Sequence, residues 1–124
     1  MIRAYRLYTG PDGDSHVERG SIAAAKLVDA ESVQFKETEP HSSLDWHNDP
    51  VPQYVITLSG VLEFSTAGGE SFTLHPGDVL LATDHTGSGH TWRLVDDAPW
   101  KRAYVVFKPG AETYFVPDAT GSGS

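Results

Sequence analysis

Gln53-Tyr54-Val55-Ile56-Thr57-Leu58, followed across Ser59-Gly60 by Val61-Leu62-Glu63-Phe64-Ser65, is the stretch that decides the fold. Both runs are rich in β-branched and aromatic residues and break at a glycine, which predicts two strands joined as a hairpin. Side chains alternate along a strand, so Gln53, Val55 and Thr57 share one face and Tyr54, Ile56 and Leu58 the other. The first set is modest in size and suits the lining of an interior with space in it. The second is apolar enough to pack between sheets or against a second subunit, which is the reason to expect a homodimer.

Outward from this centre the period of two continues, and turn residues interrupt it every eight to twelve positions. Arg3 to Tyr8 reads as a first strand ended by Gly10-Pro11-Asp12-Gly13, and Ser32 to Thr38 as a second, with Val33 and Phe35 on one face. After the centre come Ser71 to Leu74, Val79 to Ala82 beyond the turn His75-Pro76-Gly77-Asp78, His90 to Val95, and Lys101 to Phe107. Ser21 to Asp29 is the one helix-tolerant stretch and could equally be strand. About ten short strands without crossover helices require an all-β antiparallel sheet, and closing it into a double-sheet jelly roll hides its edges. A lipocalin-like barrel is the rival; the order of the turns favours the jelly roll.

The chain has 124 residues and 39% hydrophobic content, which fits one domain with one core. That domain is expected over 1–118, with 119–124 a disordered tail whose Gly121-Ser122-Gly123-Ser124 reads as a flexible linker added for expression. A formal net charge of −8 argues against nucleic-acid and membrane partners, which are bound through Lys and Arg. With no cysteine, any metal must be held by His, carboxylate or amide oxygen. No apolar run approaches a membrane span and the first residues lack the apolar core of a signal peptide, so a cytoplasmic location is expected.

At Gly60 and at Pro76-Gly77-Asp78 the chain resembles the cupin superfamily, in particular its small single-domain bacterial members of unassigned function. The similarity runs from about His47 to Leu94. His47 stands where the first motif has its first histidine, Asp49 where it has the second, Gln53 where it has a glutamate, and Gly60 closes it. In the second motif Gly69 and Pro76-Gly77-Asp78 match the turn signature, and His90 lies near the last histidine at a stretched spacing. The resemblance implies a site at the barrel mouth for a divalent transition metal, Fe, Mn, Ni or Zn, held by His47, Asp49, Gln53 and His90. The chain departs from the usual three histidines and a glutamate. The alternative is that His47 and Gln53 hydrogen-bond each other or a buried water.

Other residues fall around that site. If Ser42 to His47 is extended, His41, Ser43, Asp45 and His47 share a face, so His41 or Asp45 would reach it; Pro50 and Pro52 interrupt the ladder beside Asp49. Trp46 and Trp92 are candidate walls for a substrate, Trp92 equally a core aromatic, with Thr57 and Tyr54 as further contacts. His85, beside Asp84 in a Gly/Ser-rich loop, and His41 are the candidate proton carriers. Two functions follow: a metal-assisted isomerase, cyclase or dioxygenase on a small oxygenated metabolite, or a non-catalytic module that binds or senses a small molecule. His16 and His75 are assigned no function.

Overall fold

A computed structural model describes residues 1–47, 51–84 and 88–118, and of residues 45–47 the backbone alone. Eleven strands follow one another: β1 (Ile2–Thr9), β2 (Ser15–Ile22), β3 (Ala30–Thr38), β4 (Ser43–His47), β5 (Gln53–Ser59), β6 (Leu62–Thr66), β7 (Ser71–Leu74), β8 (Val79–Ala82), β9 (His90–Leu94), β10 (Trp100–Phe107) and β11 (Phe115–Pro117). They form a seven-stranded sheet in the order β11-β2-β1-β8-β5-β10-β3 and a four-stranded sheet in the order β4-β9-β6-β7. The result is the expected all-β jelly-roll-type sandwich. Among the described residues there is no helix, so none is long and apolar enough to cross a membrane.

Four details differ from the expectation. β5 and β6 are not a hairpin: they lie in different sheets, and Gly60 is the corner between them. Its φ is +96°, which favours glycine, and a Cβ there would meet Leu94 Cδ1 and the Pro99 carbonyl oxygen at 3.0 Å, a tight fit that adds to the preference. The large sheet is not wholly antiparallel, because β1 pairs β8 in parallel from Ala4 with Val79 to Leu7 with Ala82. Ser15–Ile22 is a strand, paired along its full length with β1, and the chain after it runs on without a helical turn. β11 is a short extra strand on the outer edge of β2.

Two apolar clusters hold these layers. Between the sheets, Leu7, Val55, Leu62, Phe64, Phe72, Leu74, Leu80, Leu94 and Trp100 are buried together. Alternation puts the opposite set, Ala4, Tyr54, Val79 and Leu81, on the outer face of the large sheet, where Phe107, Ala111 and Phe115 of the chain's own C-terminal part cover it. Tyr54 and Ile56 are thus occupied within the chain, and of the apolar face expected for a partner only Leu58 remains exposed, as are Val33 and Phe35 on β3.

Candidate functional site

The two sheets part at the side where β3 and β10 face β4 and β9, leaving a cavity of about 610 Å³. Register decides what lines it. Across β10 and β3, Trp100 pairs Thr38, Arg102 pairs Lys36 and Tyr104 pairs Gln34; across β10 and β5, Arg102 pairs Thr57 and Tyr104 pairs Val55. Paired residues share a face, so the large sheet contributes Arg102, Lys36, Tyr104, Trp100 and Gln53 to the cavity. From the small sheet come Leu44, Trp92, His90 and Phe64.

Aromatic rings form the walls. Trp92 meets Trp100 edge to face at 4.8 Å between centroids, and Phe64 meets Trp100 in the same manner at 6.4 Å. The buried Trp100 indole donates to the Thr57 hydroxyl at 3.3 Å. Thr57, expected as a ligand contact, therefore lies behind Trp100 and holds it in place.

His90 is 1% exposed, and its Nδ1 is 2.7 Å from Asp84 Oδ2, itself fully buried. The same carboxylate oxygen accepts from the Ser15 hydroxyl at 2.8 Å, and Ser15 Oγ accepts from the Gly89 amide at 2.9 Å. This chain of bonds holds the imidazole ring through Nδ1, the arrangement in which a carboxylate orients a histidine. Gln53, 7% exposed, lines the same cavity. Asp84, expected at the rim in a loop, is instead buried beneath the site.

His47 and His90 are partners in the β4–β9 register, so strand pairing brings the two positions side by side. The register shifts between Leu44 and His47, which interrupts the alternation that would set Asp45 on one face with His47. Among the described residues no group of three or more His, Asp or Glu side chains is placed to hold a metal ion. Asp49 and His85 lie outside the described residues, as do the side chains of Asp45, Trp46 and His47 and the whole of 119–124.

Two residues expected at the site lie away from it. His41 does not line the cavity: it is an exposed turn residue at φ 64°, and its Nε2 sits 2.9 Å from Asp97. Tyr54 is on the far face of β5, where its hydroxyl donates to the Thr113 carbonyl and its ring meets Phe107 edge-on; burial there pushes its phenol pKa up. The residue that the sequence pattern did not single out is Arg102, 3% exposed inside the cavity. Its signal was present in Trp100-Lys101-Arg102-Ala103-Tyr104, where arginine alternates in step with two aromatics.

His16, assigned no function, is pinned at the other edge of the sandwich between Asp12 Oδ2 at 2.9 Å from Nε2 and Glu70 Oε1 at 3.0 Å from Nδ1. The Asp12 hydrogen bond raises its pKa above the ordinary 6.5, aided by Glu70 and opposed by burial. Asp12 is in turn held below its ordinary 3.8, first by the Asp14 amide and then by His16.

No protein-family model and no curated protein matches the chain. Among solved structures, a DUF861 family protein from Thermotoga maritima superposes with a TM-score of 0.51 at 23% identity, over 62% of this chain and 81% of that one. The CENP-C cumin domain of Drosophila melanogaster gives 0.49 at 15% identity, over 80% of this chain and 70% of its own. A Cupin_2 domain of an XRE family transcriptional regulator from Enterobacter cloacae gives 0.38 at 17% identity, over 88% and 99%. At such identities the likeness concerns architecture alone: the chain has a cupin-type double-sheet fold.

Proposed function

We propose, from a cupin-type fold whose sheets part at one edge, that this protein binds a small, partly apolar molecule in the cavity between them. The observation that carries this reading is the cavity itself. At about 610 Å³ it falls within the range of small-molecule sites, and it joins aromatic walls, Trp92, Trp100 and Phe64, to a few fixed polar groups, Gln53 and His90 among them. A packed interior of this size would be filled by side chains; here the space is kept. Leu44 stands 44% exposed at the mouth, so Leu44→Trp narrows the opening without disturbing the buried core. A panel of small aromatic fragments should quench the fluorescence of the wild-type tryptophans, and Leu44→Trp should lose most of that response. Equal responses in the two proteins would place binding elsewhere and end this reading.

A second reading, metal-assisted chemistry on the bound molecule, is favoured by one specific arrangement: the pairing of positions 47 and 90 and the Asp84 bond that orients His90. Imidazole and amide oxygen, as His90 and Gln53 carry them, are donor types that suit a divalent ion, and His47 and Asp49 would complete the set. Such an ion would supply a Lewis acid to a carbonyl or enol oxygen. Elemental analysis of protein purified without chelator separates the two readings. Stoichiometric Fe, Mn, Ni or Zn that His90→Ala removes supports the enzyme; a metal-free protein that still binds fragments supports the binding module.

A further inference from the structure

Resting on that reading of the cavity, we infer that its ligand is a monoanion, a carboxylate carried on a flat apolar body, and that Arg102 selects it. Arg102 sits beside a bulge: β5 carries one extra residue, Leu58, between Thr57 and Ser59, the partners of Arg102 and Lys101. Bulges of this kind re-aim neighbouring side chains and are frequent next to binding sites. The guanidinium is held on several sides. Nε donates to the Tyr104 hydroxyl at 3.0 Å, Nη1 donates to the Thr38 hydroxyl and to the Trp100 carbonyl, and Cζ lies 3.9 Å from the centre of a Trp100 ring. None of these bonds uses Nη2.

Among the described residues no carboxylate forms an ion pair with Arg102. Lys36, its cross-strand neighbour, lines the same cavity, and no Asp or Glu is found among the described lining residues. In a chain of formal net charge −8, a pocket whose described lining carries two cations and no Asp or Glu runs against the composition. Burying a guanidinium is costly unless its charge is met, and neutral hydrogen bonds with a cation–π contact meet only part of it. An oxyanion at Nη2 would meet the rest, in the charge-assisted geometry that arginine favours.

Charge and shape narrow the class. Arg102 is the one buried cation among the described lining residues, whereas Lys36 is exposed and screened by solvent, so a single negative charge is balanced inside and a second is not. Trp92, Trp100 and Phe64 line the cavity beside the guanidinium, and such aromatic walls suit an aromatic or other planar body.

The test compares three probes that share a naphthalene body, 2-naphthoate, 2-naphthamide and 2-naphthyl phosphate, by calorimetry and tryptophan quenching. Wild-type protein should bind the naphthoate about ten- to a hundredfold more tightly than the amide, the size expected of a charge-assisted hydrogen bond, and more tightly than the phosphate. Arg102→Met should bring the naphthoate down to the affinity of the amide and leave the amide unchanged, while Lys36→Met should alter the preference far less. The wild-type comparison needs no variant, so it stands even if Arg102→Met does not fold. Equal affinity for naphthoate and amide overturns the anion while the cavity remains a binding site; phosphate binding tightest overturns the monoanion. A naphthoate preference that survives in Arg102→Met removes Arg102 from the role, and silence from all three probes removes the inference and the cavity reading together.

Discussion

The two edges of the sandwich are built from the same layers and behave differently. At the edge where β7 and β6 meet β1, Tyr5 stacks on Phe72 at 4.8 Å and Phe72 on Phe64 at 5.1 Å, with Leu7, Leu62 and Leu74 fully buried around them. At the other edge, β3 and β10 stand off β4 and β9; the rings there meet edge to face and enclose space beside a buried cation. Interdigitating apolar side chains close-pack, while an arginine, a lysine and two glutamines on neighbouring strands of one sheet do not. Stability should therefore reside at the closed edge and binding at the open one.

Substitutions can separate the two. The largest effect belongs to the closed edge: Leu74→Ala should cost about 2–5 kcal/mol in denaturant titrations and leave the affinity for 2-naphthoate nearly unchanged. Asp84→Ala, beneath the boundary between the edges, removes the carboxylate that joins Ser15 Oγ to His90 Nδ1. It should cost about 1–3 kcal/mol and also weaken probe binding, because the His90 ring loses its fixed orientation. At the open edge, Leu44→Ala should change stability by less than about 0.5 kcal/mol and still shift probe affinity. Equal losses of stability at Leu74 and Leu44 would break the division.

The smallest effect is set by pH at His16 on the closed side. A histidine whose pKa is raised on folding adds stability that is complete below its ordinary 6.5 and is lost as pH climbs through the raised folded value. Asp12, held low, adds stability that is present above 3.8 and lost as pH falls through its folded value. The pair should thus contribute most between these limits. An NMR titration of the His16 ring should give a midpoint above 6.5 that Asp12→Asn moves down; a midpoint indifferent to that change would refute the pairing.

Much of this division was legible in the residues. The alternation in Gln53 to Leu58 correctly set Gln53 and Val55 toward the interior and Tyr54 away from it. The Ser59-Gly60 turn was legible as a turn but not as a corner between sheets, because a left-handed glycine serves both and only the neighbours Leu94 and Pro99 distinguish them. β2 escaped notice because Ser15-His16-Val17-Glu18-Arg19-Gly20 is poor in β-branched residues; its pairing with β1 makes it a strand. The parallel pairing of β1 with β8 joins segments some seventy positions apart, which local pattern does not encode. His41 was drawn into the site by an unbroken alternation that its φ of 64° interrupts. Arg102 was passed over because arginine on a strand usually faces water, and only the register with Lys36 and Thr57 shows that it does not.

That the open edge is a small-molecule site is tested most directly by a crystal structure of the protein grown with saturating 2-naphthoate. Density for the ring system is expected in the cavity against Trp92 and Trp100, with a carboxylate oxygen within hydrogen-bond distance of Arg102 Nη2. A cavity holding only solvent, or the probe bound instead on the outer face near Phe35 and Leu58, would contradict it.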